Sequence, residues 1–356
     1  MAPILDNELL RLARTYKGKS QKDFSEDLGV SQSLISGIEK STKPLSEDIV
    51  SKLQSEFGQN FFKQKLHYPQ LKVYYRASAN IPKKYTDLFE SRLQIIANHI
   101  SILLEAVEIP ENKIPLIDLE DFNNDAEYLA NEIRDYFGLG RKPIEDIVRL
   151  LEKSGVVIFF YDFDFISSQN KHFDGVSFYV NGVPVILIND KIQNARKVFT
   201  ICHELLHLIA HNHSQAFLSK ERDIEKEANQ FASEFIAPKS ALRGEFTRLS
   251  FDKLFELKAY WKISIGALLY KAKETVLTAE QYKRWATAFS RYRKNEPNDF
   301  EISKPVLLKK MFDCFESTLD ENEDFHDELY ISKKVFDDIY GTLNDGKSKA
   351  KMRIVM

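Results

Sequence analysis

The segment Thr200–Asn212, TICHELLHLIAHN, places His203, Glu204 and His207 in a His-Glu-x-x-His pattern, with His211 one turn further on. The spacing predicts a helix, because positions i and i+4 share one face and can aim two imidazoles at one point. The neighbouring residues keep the same period. Val198, Phe199, Ile201, Cys202, Leu205, Leu208 and Ile209 make an apolar stripe opposite the histidines, so this helix has to lie against other structure. The rest of the chain must therefore be arranged around one half-buried histidine helix.

Two imidazoles at this spacing can grip one metal ion, and Glu204, one position on from the first, can reach a water there without occupying the metal. This is the arrangement of zinc peptidases, with His203 and His207 as ligands and Glu204 as general base. Cysteine does not compete for the role. The chain has two, Cys202 and Cys314, too far apart for a metal knuckle, and Cys202 falls on the apolar stripe. A third protein ligand is needed. His211 stands eight residues after His203, about 12 Å of helical rise, out of reach of one ion on a straight helix. His213 is ten residues after His203, but Leu208-Ile209 offers no glycine at which the chain could bend.

A carboxylate from the next helix is the alternative. Residues 220–236 read as a patterned helix with Ile224, Ala228, Phe231, Ala232 and Phe235 inward and Glu221, Glu225 and Glu227 as candidate ligands. Glu225 is the leading choice, since Asn229 lies at i+4 from it and can steer a histidine from behind. Glu227 is its nearest competitor. Glu221 and Glu227 are expected in solvent, the usual place of helix glutamates. For an oxyanion stabiliser, His213, Tyr179 and Tyr270 are candidates without a spacing argument.

Before the histidine helix the pattern is α/β. AEYLANEIRDYFGLG and IEDIVRLLEKSG predict helices, VVIFFYDF a strand, and DGVSFYVNGVPVILIND a hairpin turning at Asn181-Gly182. A small sheet packed on the histidine helix follows. The expected fold is α+β and mostly helical: an N-terminal all-α helix-turn-helix domain, then a zincin-like domain. After Pro238, WKISIGALLYKAKE predicts a helical cap on that domain.

Residues 1–58 predict short helices around a helix-turn-helix. Ser20 can cap a helix carrying Asp23, Gly29 can close it in a left-handed turn, and Ser31 can cap the next helix. Phe24, Leu28, Val30, Ile35 and Ile38 would be the small core. Gln21, Gly29, Gln32-Ser33 and Glu39 give this segment a resemblance to the Xre/Cro-type repressor family. That resemblance implies that Gln32, Ser33 and Ser36 face the major groove of a DNA operator and that Gln21 touches phosphate. Gly37 departs from the pattern, where a base-reading side chain is frequent. A net charge of −3 excludes a wholly basic, histone-like binder without excluding one small DNA-binding module.

The histidine helix, the FDG before the hairpin and EKEANQFASEFIAP together resemble the ImmA/IrrE family of metallopeptidases over about 120–295. The matched residues are His203, Glu204, His207, Glu225, Asn229 and Pro238, and Leu206 departs where glycine is frequent. The resemblance implies a gluzincin-like Zn2+ site and an endopeptidase that cleaves an Xre-type repressor, derepressing mobile-element or stress genes. The expected organisation is a helix-turn-helix domain over 1–58, a helical, aromatic linker over 59–115, the metallopeptidase domain over 116–295, and a helical extension and tail over 296–356. The helix predicted in 59–115 reads as a spacer or a homodimer element. No apolar run approaches the roughly 18 residues of a membrane span, so the expectation is a cytoplasmic protein with no membrane partner. The contrasting reading is a transcriptional regulator that cuts nothing and whose peptidase-like domain senses a ligand or partner. Glu204 favours cleavage, because a structural zinc site has no use for a base.

Overall fold

The computed structural model describes residues 7–66, 82–163, 173–212, 222–292, 296–297, 299–345 and 353–354. Four helices open the chain: α1 (Asn7–Tyr16), α2 (Gln21–Leu28), α3 (Gln32–Glu39) and α4 (Glu47–Phe57). Ser20, Ser31 and Ser46 accept the backbone N–H of Asp23, Leu34 and Ile49, satisfying donors that a helix start leaves bare. Gly29 ends α2 at φ +65°, a conformation that favours glycine. Phe24, Leu28, Ile35 and Ile38 are buried together with Val30 half-buried against them, as the helix-turn-helix plan requires. Arg14 clamps the module from α1, its Nε 2.5 Å from Glu39 Oε1.

The next helix, α5 (Lys83–Ala106), has 24 residues and spans about 36 Å. Its place differs from the expected spacer or dimer element. Phe89, Leu93, Ile96, Ile100 and Leu103 are fully buried, covered by α1 on one side and by the sheet and the C-terminal helices on the other. Amphipathic period alone cannot distinguish a partner in the same chain from one in another.

After β1 (Val107–Glu108) come α6 (Ala126–Tyr136) and α7 (Ile147–Lys153), then the sheet: β2 (Val157–Tyr161), β3 (Gly175–Val180) and β4 (Val183–Asn189). The strand order is β2-β4-β3, with β4 parallel to β2 and antiparallel to β3. Asn181 and Gly182 turn the hairpin at φ +49° and +80°, the left-handed pair that a two-residue hairpin needs. The histidine helix α8 (Asn194–Leu206) packs on β3 and β4, and α9 (Ile224–Ile236) packs on α8 and α6. Helices α10 (Phe251–Trp261), α11 (Ile265–Thr275) and α12 (Ala279–Phe289) close that side.

The sheet is a middle layer between two cores. Alternate residues Val157, Phe159, Tyr161, Phe178 and Leu187 belong to one core with α5 and the helix-turn-helix. Ile158, Phe160, Ile186 and Ile188 belong to the other with α8 and α9. The C-terminal helices α13 (Leu307–Glu316) and α14 (Lys333–Tyr340) join the first core, and β5 (Arg353–Ile354) pairs with β1. They also bind the helix-turn-helix to the body. Tyr16 donates its hydroxyl to Asp338, Arg92 pairs with Asp338 at 2.7 Å, and Gly58 lies so close to the Ile331 backbone that a Cβ would meet it at 2.9 Å. No described helix is long and apolar enough to cross a membrane.

Candidate functional site

Helix α8 buries Ile201, Cys202, Leu205 and Leu206 and leaves His203 at the edge of a cleft. It then widens: residues His207–His211 form a π turn, a form frequent where a helix carries function. The opposite wall is α9, whose Ala228 and Ala232 are fully buried and let the two helices come close. The approach of β3 needs a glycine too. A Cβ on Gly175 would meet Thr200 Cγ2 at 2.6 Å.

The structure brings three predicted residues to one point. His203 Nε2 lies 3.1 Å from His207 Nε2, Glu225 Oε2 lies 3.4 Å from His203 Nε2, and Glu225 Oε1 lies 3.6 Å from His207 Nε2. No other group of three His, Cys, Asp or Glu ligand atoms gathers this way among the described residues. The far nitrogens explain the facing ones. His203 Nδ1 donates to Asn229 Oδ1 at 3.1 Å, so its Nε2 carries a lone pair. His207 Nδ1 donates to His211 Nδ1 at 2.8 Å, and His211 Nε2 donates to Glu227 Oε2 at 3.0 Å, which leaves His207 Nε2 as a lone pair as well. Two lone pairs and a carboxylate face each other, and Glu225 Oε2 is buried with no hydrogen bond among the described residues. A cation is what such a set fits. Glu225 meets His203 through Oε2 and His207 through Oε1, so one carboxylate faces both imidazoles, nitrogen and oxygen donors of the kind that bind zinc.

Glu227 differs from expectation. It is buried, not solvated, and holds both His211 and Arg222, the latter at 2.8 and 3.0 Å. These partners outweigh burial and lower its carboxyl to about 2. Glu225 and Glu227 stand two positions apart in the first turn of α9 and meet different histidines, which no spacing rule could assign. Glu221 and His213 lie outside the described residues.

Glu204 is almost fully buried beside the histidines and lines the same cleft. Burial pushes its carboxyl up to about 7, against the pull of His203 and a hydrogen bond from Ser177. Ser177 Oγ donates to Glu204 Oε2 at 2.7 Å. Sequence reasoning missed Ser177, although it stands out as a small polar residue within VSFYV. Burial also works against the His203 cation, but Glu225 and Glu204 prevail and raise its pKa, whereas His207, buried beside two other histidines, is lowered well below the usual range.

The cleft has a volume of about 480 Å³. Phe199, Phe289 and Ile263 give it apolar wall, and Asp174, Arg196 and Glu296 give it charge. The start of α11 forms part of that wall, so the expected cap also shapes the cleft. Of the three oxyanion candidates, Tyr179 and Tyr270 lie among the described residues. Tyr179 donates its hydroxyl to the Leu208 carbonyl at 3.0 Å, and Tyr270 is exposed beneath Lys273. Neither lines the cleft. At the other end of the chain, Gln32 and Ser33 are exposed at the start of α3 and Ser36 is half-buried. The Gln21 amide is held by Glu39 at 2.7 Å.

Residues 151–273 match the family model described as the IrrE N-terminal-like domain of the M78 peptidases, and residues 10–61 match a helix-turn-helix model. The chain thus joins a helix-turn-helix segment to a segment similar to an IrrE N-terminal-like peptidase domain. A comparison with curated proteins returns no match. The peptidase match spans β3, α8, α9 and most of α11, which line the cleft, while Phe289 and Glu296 of its lining lie beyond the match.

Proposed function

We propose that this chain is a zinc-dependent endopeptidase of gluzincin type, fused to an operator-binding module, which cleaves an Xre-type repressor and so switches on mobile-element or stress genes. The observation that carries the reading is the meeting of His203 Nε2, His207 Nε2 and the Glu225 carboxylate with a buried acid, Glu204, beside them. In this reading His203, His207 and Glu225 hold the zinc, and Asn229 fixes the His203 ring. Zinc, when bound, supplies a Lewis acid that polarises the scissile carbonyl and makes water acidic. Ser177 holds Glu204 Oε2, leaving Oε1 to take a proton from the attacking water. The same oxygen returns it to the amine nitrogen as the C–N bond breaks. The apolar wall of Phe199, Phe289 and Ile263 receives substrate and excludes bulk water. Gln32, Ser33 and Ser36 read base edges and Gln21 supports a phosphate contact, so the protein works in the cytoplasm, where operator and repressor are found.

The test is Glu204→Gln. Zinc content stays at the parental level while cleavage of the Xre-type repressor encoded beside this gene falls by at least about 10²-fold, the scale of a lost general base. Equal cleavage by variant and parent would overturn the mechanism. No cleavage by either, with intact repressor release, would favour a regulator that senses without cutting.

A further inference from the structure

A second cavity, about 670 Å³ in volume, opens beside β2, between α7 and the segment around the start of α13. Three separate segments supply its cations: Arg149 and Lys153 from α7, Lys191 after β4, and Lys304, Lys309 and Lys310 around the start of α13. Only Glu152 and Asp190 line it with negative charge, and both are already engaged. Glu152 accepts the backbone N–H of Val306 and Leu307 at 2.6 and 2.7 Å and pairs with Arg149 at 2.8 Å. Asp190 is held by Lys197 at 2.8 Å. Lys153 and Lys310 have no ion-pair partner among the described residues. The floor is apolar, formed by Phe160, Val306, Leu307 and Leu343.

Cations from distant parts of a chain repel one another, and a fold that gathers them over an apolar floor is complementary to an anion with an apolar body. We propose that this cavity binds a phosphorylated small molecule of nucleotide size, its phosphates met by Lys153, Lys310 and Arg149 and its ring by the apolar floor. The volume lies in the range of small-ligand sites, and lysine with one arginine fork is a common phosphate-binding set. The position also gives such a ligand a path to the peptidase site. Lys197 belongs to α8, pairs with Asp190 at the cavity wall, and lies 4.9 Å over the Phe160 ring that floors it. A bound anion competes for that lysine, and six residues further along the same helix is His203.

The test uses the full chain with ATP and inorganic pyrophosphate as probes, followed by isothermal titration at fixed salt. ATP is expected to bind more tightly than pyrophosphate, because only ATP has a ring for the floor. Lys153→Glu with Lys310→Glu is expected to raise the ATP Kd at least tenfold, while Lys283→Glu on exposed α12 leaves it unchanged. The neutral pair Lys153→Gln and Lys310→Gln gives the same reading, with a smaller rise, if the charge-reversed protein fails to fold. Absence of ATP binding at millimolar concentration, or equal Kd in parent and cavity variants, overturns the proposal. So does a single-stranded oligonucleotide that displaces ATP and binds far more tightly, which would make the cavity a nucleic-acid groove.

Discussion

On one face of the sheet, Val157, Phe159, Tyr161, Phe178 and Leu187 meet α5 and the C-terminal helices in a largely apolar contact, with Arg92 of α5 donating to the Tyr161 hydroxyl at 2.9 Å. On the other, Ser177 and Tyr179 of the same strand β3 turn their hydroxyls to the histidine helix, to Glu204 and to the Leu208 carbonyl. Burial is similar on both sides, so the hydrophobic contribution is similar. The difference lies in what burial does to each side chain. Against α5 it removes apolar surface from water. Against α8 it strips water from carboxylates and imidazoles, which raises the Glu204 carboxyl and leaves Glu225 Oε2 buried without a hydrogen bond among the described residues. One face carries stability and the other carries poised groups.

That contrast can be broken or sharpened by substitution on each side. The largest effect is expected for Glu225→Ala: metal stoichiometry by atomic emission falls to a small fraction of the parent's and cleavage is lost with it. Full retention of zinc would transfer the third ligand to Glu227. Next is Phe178→Ala, on the apolar face, which costs about 3–5 kcal/mol in a denaturant melt. Its zinc content at low denaturant stays parental, and a loss of zinc there would show that the two faces are not separate in function.

Glu227→Gln weakens the proton-donating chain behind His207 and is expected to lower zinc affinity about 10–100-fold, read by competition with a chelator. An unchanged affinity would make the His211–Glu227–Arg222 set a purely structural clasp. The smallest effect belongs to Ser177→Ala. We expect kcat to fall about tenfold, with zinc content unaltered and stability within about 1.5 kcal/mol of the parent, the range of one hydrogen bond. An unchanged kcat would remove Ser177 from the positioning of Glu204.

Much of this could be read along the chain. The caps at Ser20, Ser31 and Ser46, the turn at Gly29 and the hairpin at Asn181-Gly182 are local events, set by residues within a few positions of each other. So is the pairing of His203 with His207, which rests on one turn of helix. Glu225 was reached through its own i+4 neighbour Asn229, and the structure brings the Asn229 amide to His203 as that spacing expects.

What could not be read depends on elements far apart in sequence. Ser177 reaches Glu204 across 27 positions because β3 lies under α8. Glu227 looked like any exposed helix glutamate until α9 was docked with that turn against His211. The buried role of α5 was hidden for the same reason, since its apolar stripe names no partner. Local sequence determined the helices, the turns and the histidine pair, because backbone conformation and i+4 geometry are short-range. Tertiary structure alone decided which carboxylates and hydroxyls meet them, because those contacts depend on how whole elements pack.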